Sequence, residues 1–188
     1  MKIILASKSP RRRELLKMIF EDFTVADPYA DENVKGDMPP AARISEISRR
    51  KAAALKPCVA ADDVIIAADT MVFCGDEIFG KPKNAADAKR MLSALSGKTH
   101  SVVTAFTVIY GNKCVTKAVT TDVTMRKTDE SEIDAYIAGG EPIDKAGAYA
   151  VQGGAAKFIE KINGDYFSVM GLPICALAVT LKELGIKI

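Results

Sequence analysis

The stretch Lys2-Ile3-Ile4-Leu5-Ala6-Ser7-Lys8-Ser9-Pro10-Arg11-Arg12-Arg13 joins a short buried strand, Lys2–Ala6, to the start of a helix. Ser9 stands where an N-cap belongs and Pro10 at the first helical position, with Leu15, Leu16 and Ile19 predicted on the buried face. Outward from this β–α start the alternation recurs. Phe23–Ala26 reads as a second strand, and Asp27 to Pro40, with Gly36 and three prolines, as a loop. A second helix is predicted from Ala41 to Leu55, with Ile44, Ile47 and Leu55 among its apolar residues. Val64–Ala68 reads as a central strand running into Asp69-Thr70 and then Met71–Cys74. Gly75-Asp76-Glu77 then turns the chain back toward Ile78-Phe79. Asn84 can cap a third helix carrying Ala88, Met91, Leu92 and Leu95.

Two β-rich runs, Thr99–Tyr110 and Cys114–Met125, flank Gly111-Asn112 and predict a hairpin. Thr128 is the expected cap of a short helix ending at Gly139-Gly140, and a glycine-rich segment follows over Asp144–Gly154. Lys157–Ile162 and Tyr166–Met170 read as a second hairpin turning at Asn163-Gly164. Pro173 opens a last helix that stops at Gly185. Interspersed strands and helices predict an α/β fold with a mixed sheet. No repeat, low-complexity tract or linker interrupts it, so residues 1–188 are expected to form a single domain.

With 188 residues, 48% of them hydrophobic, the chain can bury a core without staples. Its net charge of +2 is too small for a general nucleic-acid binder. The charge is uneven, with 12 basic and 8 acidic residues among residues 1–56, an imbalance that suits an anionic ligand. Cys58, Cys74, Cys114 and Cys175 are far apart and form no C-x-x-C pair, so they read as free thiols in a reducing compartment. No signal-like or membrane-spanning apolar run is present, and a cytoplasmic protein with no membrane partner is expected.

Acidic residues are favoured in the first turn of a helix, yet Arg11, Arg12 and Arg13 stand there, each at a cost of about a few tenths of a kcal/mol. A phosphate relieves that conflict, because guanidinium forks and helix N–H groups converge on one anion. A solvated basic face is the bland alternative. Asp69, at the end of the apolar run, suits metal binding or water activation, or else merely caps a turn. Asp31-Glu32 in the early loop could add a second carboxylate. Gly80-Lys81-Pro82 places a lysine between a permissive and a rigid residue without forming a P-loop. Lys51, among Arg49 and Arg50, reads most simply as part of a solvated basic face. The lone His100 reads as a structural hydrogen-bonder. With no second histidine, triad hydrolysis and zinc chemistry lose their support. Phosphate-binding cations plus carboxylates remain, the combination for metal-assisted attack on a phosphoanhydride.

Several segments in order resemble the Maf family of nucleoside triphosphate pyrophosphatases. They are Leu5-Ala6-Ser7-x-Ser9-Pro10-Arg11-Arg12, Ala68-Asp69-Thr70-x-Val72, Gly80-Lys81-Pro82 and Ser96-Gly97-x-x-His100, followed by Asp144-Lys145-Ala146-Gly147-Ala148-Tyr149-x-Val151-Gln152-Gly153, Ile162-Asn163-Gly164 and Gly171-Leu172-Pro173. The resemblance implies hydrolysis of a nucleoside triphosphate between the α and β phosphates. It also implies a mixed central sheet flanked by helices, with two lobes and a cleft, as in inosine triphosphate pyrophosphatases. By position Asp69 matches the family's general base. Ser7, Arg12, Lys51 and Lys81 match its polar and cationic cleft residues, and Glu32 its loop carboxylate. Magnesium or manganese, held by Glu32 and Asp69, and a homodimer are further expectations of the resemblance.

Base preference within the family is also implied. The dTTP/UTP branch has Arg after Ser-Pro, Thr after the catalytic Asp, and Gln in the Gly-Ala-Tyr-x-x-Gln-Gly segment, as Arg11, Thr70 and Gln152 stand here. A branch acting on 7-methyl-GTP has an aromatic residue, Gln and Glu instead. The Gln152 carboxamide can both donate and accept, as a uracil or thymine edge requires. The competing readings are a pyrophosphatase for 7-methyl-GTP or another modified nucleotide, and a non-catalytic nucleotide-binding regulator of septum formation. An RNA-binding module is disfavoured, because the basic cluster is short and no aromatic stacking run accompanies it.

Overall fold

The computed structural model describes residues 1–188. Its elements run β1 (Ile3–Ala6), α1 (Pro10–Leu16), β2 (Thr24–Ala26), α2 (Pro40–Leu55), β3 (Val64–Cys74), β4 (Glu77–Phe79), α3 (Ala85–Leu95), β5 (Thr99–Tyr110), β6 (Lys113–Met125), α4 (Glu130–Ala138), β7 (Ile159–Asn163), α5 (Tyr166–Met170) and α6 (Ile174–Glu183). The strand order is β2-β1-β3-β5-β6-β7, with β4 paired to β3. β1 is parallel to β2 and β3, whereas β4 is antiparallel to β3 and β7 to β6, so the sheet is mixed as predicted. The chain divides into two compact units. One comprises Met1–Asp69, Thr104–Val119 and Gly171–Ile188; the other comprises Thr70–Val103 and Thr120–Met170. No helix is long and apolar enough to cross a membrane, and the four cysteines are unpaired.

In the first unit β1 lies between β2 and β3, with Leu5 opposite Val25 and Ile66. All four of its residues are buried, which is why it reads as an unbroken apolar run rather than an alternating one. Ala52 and Leu55 of α2 pack with Ile4, Ala6, Ile65, Ala67 and Ile109. Ile65 and Ala67 therefore face α2, and strand alternation carries the next odd position, Asp69, to the same face. Fully buried Ser48 of α2 is satisfied within this layer: its Oγ donates to the Ala67 carbonyl at 3.3 Å and meets Thr107 Oγ1 at 3.0 Å. That bond ties the helix to β3 two residues before Asp69.

The second unit is built on Phe79, Leu92, Leu95, Val123, Met125, Ile133 and Phe158. Asn84 caps α3 as predicted, its side chain accepting from Asp87 N at 2.9 Å. The cap of α4 is Asp129, not Thr128. Glu132 closes a reciprocal capping box by accepting from Asp129 N at 3.1 Å. Two hydrogen bonds from the Arg126 guanidinium, with the Asp129 N–H, hold the Glu132 carboxyl down at about 2.

The second predicted hairpin is not formed. β7 ends at Asn163, and Tyr166–Met170 is the helix α5. Asp165 makes the difference, because its carboxylate accepts from Phe167 N at 2.8 Å and Ser168 N at 3.3 Å and so opens a helical turn. Gly164, at φ 133°, cannot be replaced without strain there; a Cβ would lie 2.7 Å from Thr121 Oγ1.

His100 is buried, and its Nε2 is 2.8 Å from the Tyr149 hydroxyl, while Nδ1 has no protein partner. It is a structural hydrogen-bonder, as expected. Burial lowers its imidazole to about 4. The folded state thus resists protonation that the unfolded chain accepts at about 6.5, so the neutral ring's contribution is whole above that pH and fades as pH falls toward 4. Between pH 7 and pH 5 this group alone should cost about 2 kcal/mol of stability. Denaturant midpoints for wild type and His100→Gln at both pH values check it: the variant's loss should be smaller by that amount. Equal losses would remove His100 as the cause.

Candidate active site

The residues that carry the candidate chemistry of the first unit come from five places: the end of β1, the start of α1, the loop between β2 and α2, the C-terminal half of α2, and β3. Ser7 follows β1, buried, with its N–H donating to the carbonyls of Leu5 at 3.0 Å and Ala26 at 3.1 Å. Its Oγ accepts from Ser9 N at 3.1 Å, a local turn that delivers the chain into α1. That helix has Ser9 at its N-cap, without a side-chain capping bond, and no acidic residue in its first turn. It is only seven residues long, so the guanidinium groups, rather than a long helix dipole, are its means of holding an anion.

Arg11 and Arg12 are half-buried, while Arg13 is exposed. Arg12 Nε donates to the Gly171 carbonyl at 2.8 Å, which fixes one edge of the fork. Burial pushes the Arg12 guanidinium below its usual range, the charges of Asp69 and Glu32 push it back up, and Arg11 lowers it. Arg12 is therefore a cation held at a desolvation cost beside two carboxylates and a second cation. Lys8 is excluded from the cluster: it is exposed, paired with Asp27 at 2.5 Å and lies over the Tyr29 ring.

Asp69 does not end its strand, as the apolar run had predicted, but sits inside the eleven-residue β3, two positions beyond the last residue paired with β1. It is buried, and its Oδ1 accepts from Lys51 Nζ at 2.7 Å. Lys51 is not part of a solvated face either. It is 7% exposed on the stripe of α2 that also holds Ile44, Ile47, Ser48, Ala52 and Leu55. The same ammonium lies 2.9 Å from Glu32 Oε1, so one buried lysine joins Asp69 to the loop carboxylate.

Glu32 itself is on an exposed loop, and what holds it there escaped the sequence reading. Arg50 Nη1 donates to the carbonyls of Asp31 and Asn33, at 3.3 Å and 3.2 Å, on either side of Glu32. Arg43, two turns earlier on α2, donates to the carbonyls of Val34 and Gly36 at 2.9 Å and 2.8 Å. Arg49 pairs with Glu46 and is exposed, as a basic face should be; Arg50 pairs with the same Glu46 but is half-buried. The spacing of Arg43 and Arg50, seven residues apart on one helix face, is the signal that was available.

No group of three or more His, Cys, Asp or Glu side chains is placed to hold a metal by itself. The pair Glu32 and Asp69 nevertheless suits a hard divalent cation. Both offer carboxylate oxygens, and the Lys51 ammonium shows that a positive centre fits between them. Magnesium commonly takes one or two carboxylates and completes its shell with water and substrate phosphates.

Thr70, Lys81 and Gln152 belong to the second unit. Thr70 is half-buried, and Lys81 and Gln152 are exposed. The glycine-rich segment and the lysine loop are joined there: Gly147 N donates to the Gly80 carbonyl, one residue before Lys81, at 3.0 Å. Gly147 at φ 69° is followed by Ala148 at φ 61°, the one non-glycine residue of the chain at positive φ. A Cβ on Gly147 would come within 3.0 Å of Val72 Cγ2. Backbone strain of this kind costs about 1–3 kcal/mol and gathers at ligand loops. Gln152 stands on a turn closed by Gly153 N to Ala150 O at 3.0 Å, and the turn is anchored where Ala150 N donates to the Tyr136 hydroxyl at 3.2 Å.

Residues 2–184 match the model of the Maf-like protein family. The chain belongs to the Maf family. Among curated Maf relatives, a dTTP/UTP pyrophosphatase of Bacillus cereus (strain AH187) is 43% identical over 187 residues, covering 100% of this chain and 97% of its own. A dTTP/UTP pyrophosphatase of Bacillus anthracis is 43% identical with the same coverage. Among solved structures, the Staphylococcus aureus Ham1 protein superposes with a TM-score of 0.48 at 18% identity, over 66% of this chain and 72% of that one.

Proposed function

We propose that this Maf protein hydrolyses dTTP and UTP, between the α and β phosphates, to the nucleoside monophosphate and pyrophosphate, with residues 1–188 working as a single domain. The observation that carries the reading is the buried Lys51 joined to both Asp69 and Glu32, with Arg12 electrostatically coupled to the same two carboxylates. Cations beside paired carboxylates suit an anionic substrate attacked by water. The identity of 43% with dTTP/UTP pyrophosphatases over the whole chain supports the same class.

In this reading Asp69 accepts the proton of the attacking water, and Lys51 aims its carboxylate through the bond to Oδ1. Arg11, Arg12 and Lys81 offset the charge of the triphosphate, and Ser7 adds a hydroxyl at the end of β1. Glu32 and Asp69 would hold magnesium or manganese, which, when bound, neutralises phosphate charge and polarises the anhydride. Gln152 reads the pyrimidine edge, with Arg11 and Thr70 as the other specificity positions.

The test is pyrophosphate release with magnesium or manganese across dTTP, UTP, dUTP, CTP, GTP and 7-methyl-GTP. dTTP and UTP should lead the panel. Failure to release pyrophosphate from any of them would overturn the enzyme reading and leave a nucleotide-binding role. The Gln152→Glu variant tests the base reading separately. A carboxylate cannot donate where the amide did, so kcat/KM for UTP should fall by about 5- to 150-fold, as one unpaired polar group costs ~1–3 kcal/mol. Unchanged UTP efficiency, or a wild type that favours 7-methyl-GTP, would overturn the base assignment and leave the pyrophosphatase standing.

A further inference from the structure

We infer that Lys51 is a resident counter-cation that keeps divalent metal out of the nucleotide-free site, so that metal and triphosphate enter together. The inference rests on the proposed function and adds an order of binding to it. Its basis is one ammonium engaged with both candidate metal ligands, Asp69 Oδ1 at 2.7 Å and Glu32 Oε1 at 2.9 Å.

Two carboxylates contribute two negative charges, and Lys51 and Arg12 already answer both. A divalent ion approaching the free protein would have to shed water it gives up reluctantly and then meet ligands whose charge is spent. No third His, Cys, Asp or Glu stands by to complete a shell. A triphosphate changes both conditions at once. It brings anionic oxygens for the ion, and it offers Arg12 and Lys51 another partner. Lys51 is suited to the exchange: its stem is packed on the buried stripe of α2, while its ammonium ends a flexible four-carbon chain. Metal and nucleotide thereby bind with positive coupling, and the coupling is reciprocal.

The experiment measures binding of Mn2+ alone to the nucleotide-free protein, by electron paramagnetic resonance of the unbound ion, for wild type, Lys51→Met, Lys51→Gln and Lys51→Met/Asp69→Asn. Circular dichroism selects the folded variants. Wild type should bind Mn2+ at least tenfold more weakly than the folded lysine variants, and adding Asp69→Asn should abolish the gain. With a non-hydrolysable α,β-methylene analogue of UTP present, equilibrium dialysis against the same Mn2+ and analogue should show wild type retaining one Mn2+ per chain beyond the chelate free in solution. The inference is overturned if nucleotide-free wild type binds Mn2+ as tightly as the lysine variants, or if the analogue brings no Mn2+ to wild type. The wild-type comparison with and without analogue needs no variant to fold. Pyrophosphate release by the same wild-type sample separates the two questions: release together with tight Mn2+ binding by the free protein defeats only the order of binding, whereas no release from any nucleotide defeats the proposed function itself.

Discussion

Asp69→Asn is expected to lower kcat for UTP by roughly two to four orders of magnitude, the range that general base catalysis contributes. Asparagine has nearly the same shape, and the bond that docks α2 against β3 beside it, from Ser48 to the Ala67 carbonyl, is untouched. The fold should therefore survive, which circular dichroism and the thermal midpoint verify. What is lost is the proposed proton acceptor and one of the two anionic partners of Lys51, which keeps Glu32. Loss of a proton acceptor lowers kcat, and loss of a metal ligand that is coupled to nucleotide binding raises KM as well, so both roles proposed for Asp69 are read from the split between the two constants. A folded Asp69→Asn protein with near-normal turnover would remove Asp69 from the mechanism.

The second large effect is expected at Arg12. Arg12→Ala deletes a half-buried cation beside Asp69 and Glu32 and should cost roughly 2–4 kcal/mol, about 30- to 900-fold in kcat/KM. Phosphates carry no base information, so the order of the nucleotide panel should stay unchanged. Arg12→Lys separates charge from shape: it restores the charge but not the fork that reaches the Gly171 carbonyl, and it should recover only part of the loss. Lys81→Ala should weaken every triphosphate in the same even manner. A reordered panel with intact overall efficiency, for either Arg12→Ala or Lys81→Ala, would show that the side chain reads the base.

The N-terminal β1–α1 unit was legible because each local cue agrees: apolar run, Ser9 at the cap, Pro10 behind it, Leu15 and Leu16 on the buried face. α2 was legible as a helix from its spacing, but Lys51 entered the candidate site only through the family resemblance. Lys51 occupies the stripe of Ile44, Ile47, Ser48, Ala52 and Leu55, and a lysine there already marks a buried charge in need of a partner. Its neighbours Arg49 and Arg50 suggested solvent, and which carboxylates it meets is a long-range fact that helical spacing cannot contain. The α5 helix was misread because Asn163-Gly164 carries a strong turn signal, while the capping by Asp165 competes with it one residue later. Asp129 prevailed over Thr128 for a similar reason: Glu132 stands three residues after it and closes the box. The loop around Glu32 lacked any local pattern, since its order comes from Arg43 and Arg50 across the chain.

Asp69 faces Lys51 by parity. Ile65 and Ala67 face α2, and a strand turns alternate residues to alternate faces. Removing Ala68 would swing the carboxylate to the opposite side of the sheet, and adding two residues there would restore the side but displace it by roughly 6.6 Å along the strand. Neither change leaves a 2.7 Å contact with a lysine whose helix is pinned at Ser48. This part of the chain can therefore vary in its letters but not in its length. Added residues are instead accommodated in connections such as the Gly111-Asn112 turn between β5 and β6, which carries none of the proposed site residues.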